Sequence, residues 1–259
     1  MRTVLAALLL ALLPLPALAA GCFPVAQDAA RVLPASWREA ALPEGATVRI
    51  TFLGHASFLI ESAEGITAVT DYNGYVAAPL IPDIVTMNNA HSTHYTFRPD
   101  PAIRHVLHGW GETGGEAKHD VTVGDMRVRN IPTAVHGRTG SQTNSNSIFV
   151  FEVGDLCIAH LGHLHQPITD QILAELGVID VVMAPIDGRY TMSQEEMLEA
   201  VRRIGAPIVL PMHYFGPSVL GRFLDLAEGE YRVDLRDSPE LLLSRVGLPA
   251  KTIVVLPGD

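Results

Sequence analysis

The sequence predicts an α/β fold, with sheets and helices packed outside them, and three observations carry that prediction. The first half reads as a succession of short strands. The second half alternates strand, helix and strand. Histidines stand just after four of the strands, where an α/β architecture gathers its ligand-binding loops.

The elements follow in order. Residues 47–53 alternate apolar and polar side chains, and 57–61 resume after a turn at Gly54-His55. Residues 66–70 run into Asp71-Tyr72-Asn73-Gly74, which carries turn chemistry. Ile84-Val85-Thr86-Met87 is short and mostly apolar, as a buried strand is, and a polar loop spans 88–94. Further strands are expected at 104–107, 126–131 and 148–153, with a loop at 109–115. The strand 156–158 leads into His160-Leu161-Gly162-His163-Leu164-His165. A helix over 167–176 is stopped by Gly177, and a strand covers 178–184. Ser193-Gln194-Glu195-Glu196 is a capping box, in which the Ser193 hydroxyl accepts the Glu196 amide and Glu196 reaches back. Met197, Leu198, Val201 and Ile204 then share one helix face, which Gly205 and Pro207 end. The strand 208–210 follows, and His213 leaves its C-terminal end.

Residues 1–19 have the pattern of a secretory signal peptide: Arg2, an apolar run over 4–13, then Ala17-Leu18-Ala19 as a cleavage signal. The run is shorter than the ~20 apolar residues a membrane span needs. A periplasmic or secreted protein is therefore expected, with one domain over 20–259 and no membrane span. Ala20-Gly21-Cys22 resembles the end of a lipoprotein signal, with Ala19 where leucine is usual, so lipid attachment at Cys22 is the lesser alternative. No linker, low-complexity run or fixed-period repeat divides the chain. The formal charge of −10 argues against nucleic acid or an anionic membrane surface as partner. Two cysteines are too few for a disulfide framework. Cys22 and Cys157 can pair in an oxidising compartment, and their spacing does not decide it; a buried, unreactive Cys157 is the expectation.

The histidines at strand ends are His91 and His94, His136, His163 and His213. Neutral imidazole is the commonest metal-binding side chain. Five of them converging would be costly if charged and hard to satisfy if neutral, and a metal resolves this by accepting their lone pairs. Taken singly, each is as well explained as a polar residue at a sheet edge.

The wording around them resembles a known family. Thr51-Phe52-Leu53-Gly54-His55-Ala56-Ser57-Phe58 resembles the opening of the metallo-β-lactamase fold, particularly its L-ascorbate-6-phosphate lactonase-like branch. Pro185-Ile186-Asp187-Gly188-Arg189-Tyr190-Thr191-Met192 and Pro211-Met212-His213-Tyr214 resemble the same branch, and the likeness runs from about Val48 to Gly258. It implies a four-layer αβ/βα sandwich with a metal site at the shared edge of two sheets. The family's H-x-H-x-D-H motif falls on Asn89-Ala90-His91-Ser92-Thr93-His94, so Asn89 stands for a histidine and Thr93 for an aspartate. His136 and His213 match ligand positions, and His163 stands where the family has a bridging aspartate. The resemblance places His55 and Asp71 behind the ligands, and Arg189 and Tyr190 in the loop that faces substrate; His160, read as orienting a neighbour, and Asn89, where the ligand is lost, are expected behind the ligands as well. Each has an ordinary alternative: a core histidine, a turn residue, a solvated loop arginine. His165 is expected to be an exposed loop residue, with a substitute ligand as the alternative.

These departures bear on the chemistry. A site of two dications ~3.5–4 Å apart relies on carboxylates to offset charge. Without them the ions repel strongly even at an effective dielectric of about 20. One divalent metal per chain is therefore expected. Zinc heads the expectation, and iron, copper and nickel also accept an imidazole set. Three histidines with an open position can generate hydroxide from bound water. That leaves His163 and Thr93 as catalytic candidates, with Thr93 able to orient water but not to act as a base near pH 7. The expected activity is metal-dependent hydrolysis of an ester, lactone or phosphoester on a small-molecule substrate, an anionic one if Arg189 binds it. The alternatives are a metal- or anion-binding protein without turnover, and an interaction domain descended from an enzyme.

Overall fold

In the computed structural model the described residues are Cys22, 32–33, 42–76, 78–137 and 140–258, leaving aside the side chains of 32–33, 136–137 and 140–143. The export signal at 1–19 lies outside the described residues.

Two mixed sheets face each other. The smaller has six strands: β2 (Val48–Gly54), β3 (Ser57–Ser62), β4 (Thr67–Val69), β5 (Ile84–Met87), β6 (His105–His108) and β14 (Glu240–Leu243). Their order is β14-β2-β3-β4-β5-β6. The larger contains β1 (Val32–Leu33), β7 (Asp120–Val123), β8 (Met126–Gly137), β9 (Gly140–Val153), β10 (Leu156–His160), β11 (Val181–Pro185), β12 (Ile208–Met212), β13 (Arg232–Leu235) and β15 (Thr252–Val255). Its order is β1-β7-β8-β9-β10-β11-β12-β15-β13. From β10 to β13 the neighbours run parallel, and β10, β11 and β12 are buried along their whole length. That is why these three read as apolar runs rather than alternating ones.

The core between the sheets is built by both. Ile50, Phe58 and Ile60 from one meet Phe149, Phe151, Ile158 and Met183 from the other. The outer face of the large sheet packs against α1 (Asp170–Leu176), α2 (Gln194–Ile204) and α3 (Pro217–Leu226). Leu59, Val69, Val85 and Met87, on the small sheet, are covered by loop side chains including Tyr72, Leu80, Tyr95 and Trp110. No helix covers that face among the described residues, so the fourth layer expected there is made of loops. No described helix is long and apolar enough to cross a membrane.

The Ser193 capping box is present in full and opens α2 as expected. Other expectations need correction. α1 begins at Asp170 rather than 167, because the Thr169 side chain caps it by accepting the Ile172 N–H at 3.2 Å. Arg129 donates to the Glu175 and Leu176 carbonyls and so closes the other end of that helix. β8 and β9 form a hairpin far longer than 126–131 and 148–153, extended through polar residues such as Asn146 by cross-strand pairing.

Cys157 is not an unreactive thiol. It is bonded to Cys22, with Cα atoms 5.9 Å apart at a sequence separation of 135. Cys22 is 4 % exposed, and its carbonyl accepts the Val178 N–H at 3.2 Å, which seats it beside the β10 strand. Nothing in the spacing of the two cysteines announces that contact.

Candidate metal centre

The site forms where strands end. His55 lies in the β2–β3 turn, Asp71 follows β4, and His91 and His94 follow β5. His163, Asp187 and His213 follow the adjacent parallel strands β10, β11 and β12. Local hydrogen bonds shape each loop. The Asn88 N–H donates to the His94 carbonyl and the His94 N–H to the His91 carbonyl, curling the loop so both rings face one way. The His213 N–H donates to the His55 carbonyl at 2.7 Å, joining the two sheets through backbone at the site. His55, Asp71 and His213 have φ of 54°, 42° and 55°, a left-handed backbone that non-glycine residues adopt at a cost of order 1–3 kcal/mol each.

One ring nitrogen from each of His91, His94, His163 and His213 lies within 4.8 Å of the other three. His94, His163 and His213 are buried, and His91 is partly open to solvent. The partners behind the rings orient them. His94 Nδ1 donates to Asp71 Oδ2 at 2.6 Å, and His213 Nδ1 donates to Asp187 Oδ1 at 3.0 Å. His163 Nδ1 lies 2.7 Å from His165 Nε2, and His91 Nδ1 lies 2.8 Å from the Thr93 hydroxyl. Each ring is thus held at Nδ1, which turns Nε2 inward. The His94 and His213 Nε2 atoms are buried with no hydrogen-bond partner, and the His91 and His163 Nε2 atoms stand 3.1 Å apart.

Two orphaned, buried lone pairs aimed at one point are costly without a partner. A cation supplies that partner, and tying a ligand histidine through its other nitrogen is the usual support of a metal site. The donor set therefore fits a metal ion. Burial, and then the neighbouring rings, hold His94 and His163 well below the ordinary imidazole range, so both are neutral and ready to ligate. His91 is lowered for the same reasons. His55 is lowered to about 3, first by burial and then by His213, His94 and His91. Burial raises the Asp71 carboxyl to about 6, against the pull of His160 and Asn88. Burial also pushes Asp187 up, but hydrogen bonds from His213, Thr191 and the Tyr190 and Arg189 amides outweigh it and hold the carboxyl below its usual range.

The candidate residues separate accordingly. His91, His94, His163 and His213 come together. The backbone of His136 ends β8, and its side chain lies outside the described residues. Thr93 is not among the converging ligands: its hydroxyl stands 2.8 Å from His91 and 3.0 Å from His55. His160 is fully buried, with Nε2 2.9 Å from the Ala56 carbonyl and Nδ1 accepting the Gly162 N–H, so both nitrogens serve the backbone. Asn89 makes a backbone bond to Ser145, and the amide that supports the centre is Asn88, which donates to Asp71 and accepts the Ser147 N–H. Arg189 and Tyr190 are exposed, and Tyr190 packs edge-on to Phe215 at 5.9 Å.

Sequence reasoning missed Asp187, Asn88 and Asn146, and placed His165 in solvent. Asn146 accepts the His163 N–H at 2.7 Å and donates to the Leu161 carbonyl. The Asp-Gly pair after a buried strand was a usable signal for Asp187; for the two asparagines there was none.

Comparison with known proteins finds metal-dependent relatives. The family model described as "Beta-lactamase superfamily domain" matches residues 49–213. The chain is 28% identical over 183 residues to a UPF0173 metal-dependent hydrolase of Methanoculleus marisnigri, covering 64% of this chain and 81% of that one. It is 25% identical over 236 residues to a protein of the same description from Pyrococcus furiosus, covering 82% and 98%. A Thermotoga maritima structure, described as a Zn-dependent hydrolase of the metallo-beta-lactamase superfamily, matches with a TM-score of 0.61 at 25% identity, over 81% of this chain and 98% of that one.

Proposed function

Because the chain belongs to the beta-lactamase superfamily, as a metal-dependent hydrolase of the metallo-β-lactamase fold, we propose that it is an exported enzyme cleaving an ester, lactone or phosphoester bond. The family implies a divalent metal. In this reading His91, His94, His163 and His213 hold one ion, and zinc suits the nitrogen set, with iron, copper and nickel accepting the same donors. Four nitrogens at zinc distance stand about 3.3 Å apart, and a set within 4.8 Å supports one ion rather than two. A divalent ion there would supply Lewis-acid chemistry, acidifying water and polarising a substrate oxygen.

The observation that carries the reading is the orphaned pair of buried Nε2 atoms on His94 and His213. The protein's own part is orientation and charge. Asp71 and Asp187 restore, one bond further out, the carboxylates absent from the ligand positions. Thr93 cannot take a proton at neutral pH, so its role is to position His91. Arg189 is exposed beside Tyr190, and in this reading its guanidinium would meet an anionic substituent where the substrate carries one.

Export is supported by the residue pattern over 1–19 and by the Cys22–Cys157 bond, a linkage that persists in oxidising compartments. The same bond occupies the Cys22 sulfur and counts against lipid attachment. A metal-binding protein without turnover is favoured by one feature, the threonine where a carboxylate would orient water. Elemental analysis of protein purified without chelator, followed by a panel of chromogenic esters, lactones and phosphodiesters, tests the proposal. One ion with turnover of a panel member supports it; one ion and no turnover selects the binding protein; no ion overturns both.

A further inference from the structure

Thr93 Oγ1 lies 2.8 Å from His91 Nδ1 and 3.0 Å from His55 Nε2. A hydroxyl has one proton, so it donates to one ring and accepts from the other. With His91 Nε2 holding the ion, the proton of His91 sits on Nδ1 and is donated to Thr93. Thr93 must then donate to His55 Nε2, which leaves the His55 proton on Nδ1. The ring carries a donor at the end that Thr93 does not occupy.

That end is open. Among the described residues His55 Nδ1 has no hydrogen-bond partner, yet it is not among the buried, unpartnered atoms. His55 lines a cleft of 220 Å³ with Phe52, Gly54, Tyr214 and Gly258. Its ring lies 4.3 Å from that of His213 and 5.7 Å from that of Phe215, which is 58 % exposed. The cleft is thus lined by two aromatic residues, two glycines and His55, it adjoins the histidine cluster through His55, and the open Nδ1 end of that ring is free to meet a ligand.

Resting on the hydrolase reading, we propose that His55 touches the substrate, its Nδ1–H donating to the carbonyl oxygen of a neutral carboxylic ester or lactone bound at this cleft. One neutral donor among aromatic rings matches a carbonyl better than a phosphodiester, whose charge asks for cations. Thr93 is the positioning residue that sets the tautomer.

The experiment has a spectroscopic arm and a kinetic arm, both on the zinc-loaded full chain. Long-range 1H–15N spectra assign the tautomers: the proton of His55 is expected on Nδ1, and Thr93→Val should move it to Nε2. A proton on Nε2 in the unmodified protein overturns the proposal. In kinetics, His55→Gln lacks a donor at the δ position and should lower kcat on aryl esters and lactones by about 10²-fold, the loss expected for one donor to a developing oxyanion. His55→Asn carries an N–H at the δ position, tolerates the left-handed backbone, and should recover most of that loss. Both variants should keep their zinc. Loss of zinc in both, or equal kcat in all three proteins, overturns the proposal. Turnover of phosphodiesters alone overturns the ester assignment and leaves the hydrolase reading standing, whereas no turnover of any panel member overturns both.

Discussion

Replacing Gly162 with alanine should dismantle the metal centre without touching a ligand. Gly162 has φ of 60°, and a Cβ there would lie 2.4 Å from Asn146 Oδ1 and 2.5 Å from Asn88 Nδ2. The left-handed backbone alone costs an L-residue ~1–2 kcal/mol, and forcing a methyl into a filled interior adds ~1–3 kcal/mol. A loss of about 2–5 kcal/mol is therefore expected. The two amides that must yield hold the centre from behind: Asn88 donates to Asp71, and Asn146 accepts the His163 N–H. Metal affinity should fall together with stability, because moving Asp71 frees His94 and moving Asn146 frees His163. Urea melts of the metal-free protein measure the first effect, and competition with a chromophoric chelator measures the second. A Gly162→Ala protein that melts like the original and keeps its metal affinity would refute the reasoning. A stable variant with weakened affinity would place the damage at the two amides alone.

Other expectations are as direct. Reducing the Cys22–Cys157 bond opens a loop of 135 residues, for which the chain-entropy estimate is about 5 kcal/mol; urea midpoints with and without reductant should differ accordingly, and equal midpoints would contradict it. Asp187→Ala should weaken metal binding about 10–100-fold by releasing His213, and unchanged affinity in the chelator competition would refute that role. Acid should destabilise the metal-free chain. Burial holds His94, His160 and His163 below the ordinary 6.5, so the unfolded chain takes up protons that the folded chain refuses. Their contribution is fully present above pH 6.5 and is lost as pH falls, by about 1.4 kcal/mol for each of His94 and His163 at a pH of about 5.5 and in the same direction for His160. Asp71, raised to about 6 in the folded state, offsets part of this by taking up its own proton there. Stability measured by urea should therefore drop between neutral pH and about 5.5, and a flat profile would refute the assignment of neutral buried histidines.

The strands that set the site were legible because burial on both faces leaves an apolar run, as in Ile84-Val85-Thr86-Met87 and β10 to β12. The histidines were legible because each follows such a run, and local wording supplied the family. The polar half of the β8–β9 hairpin was not, since Asn146 and its neighbours are strand residues only by virtue of what they pair with. The region after His213, with α3 and β13 to β15, has weak periodicity and was left unassigned. The supporting residues were hidden for a different reason. Asn88 and Asn146 act through single hydrogen bonds formed across the fold, and a side-chain amide has no characteristic spacing to announce it. Thr93 was seen as a lost aspartate, whereas in the fold it works as a link between two imidazoles.

The four converging rings hang from different sheets: His91 and His94 follow β5 of the small one, while His163 and His213 follow β10 and β12 of the large one. Whatever all four grip acts as a clasp across the seam between the two halves. A bound ion would therefore add a cross-link at the rim to the core that already joins the sheets, and amides facing that seam should exchange more slowly with the ion than without it.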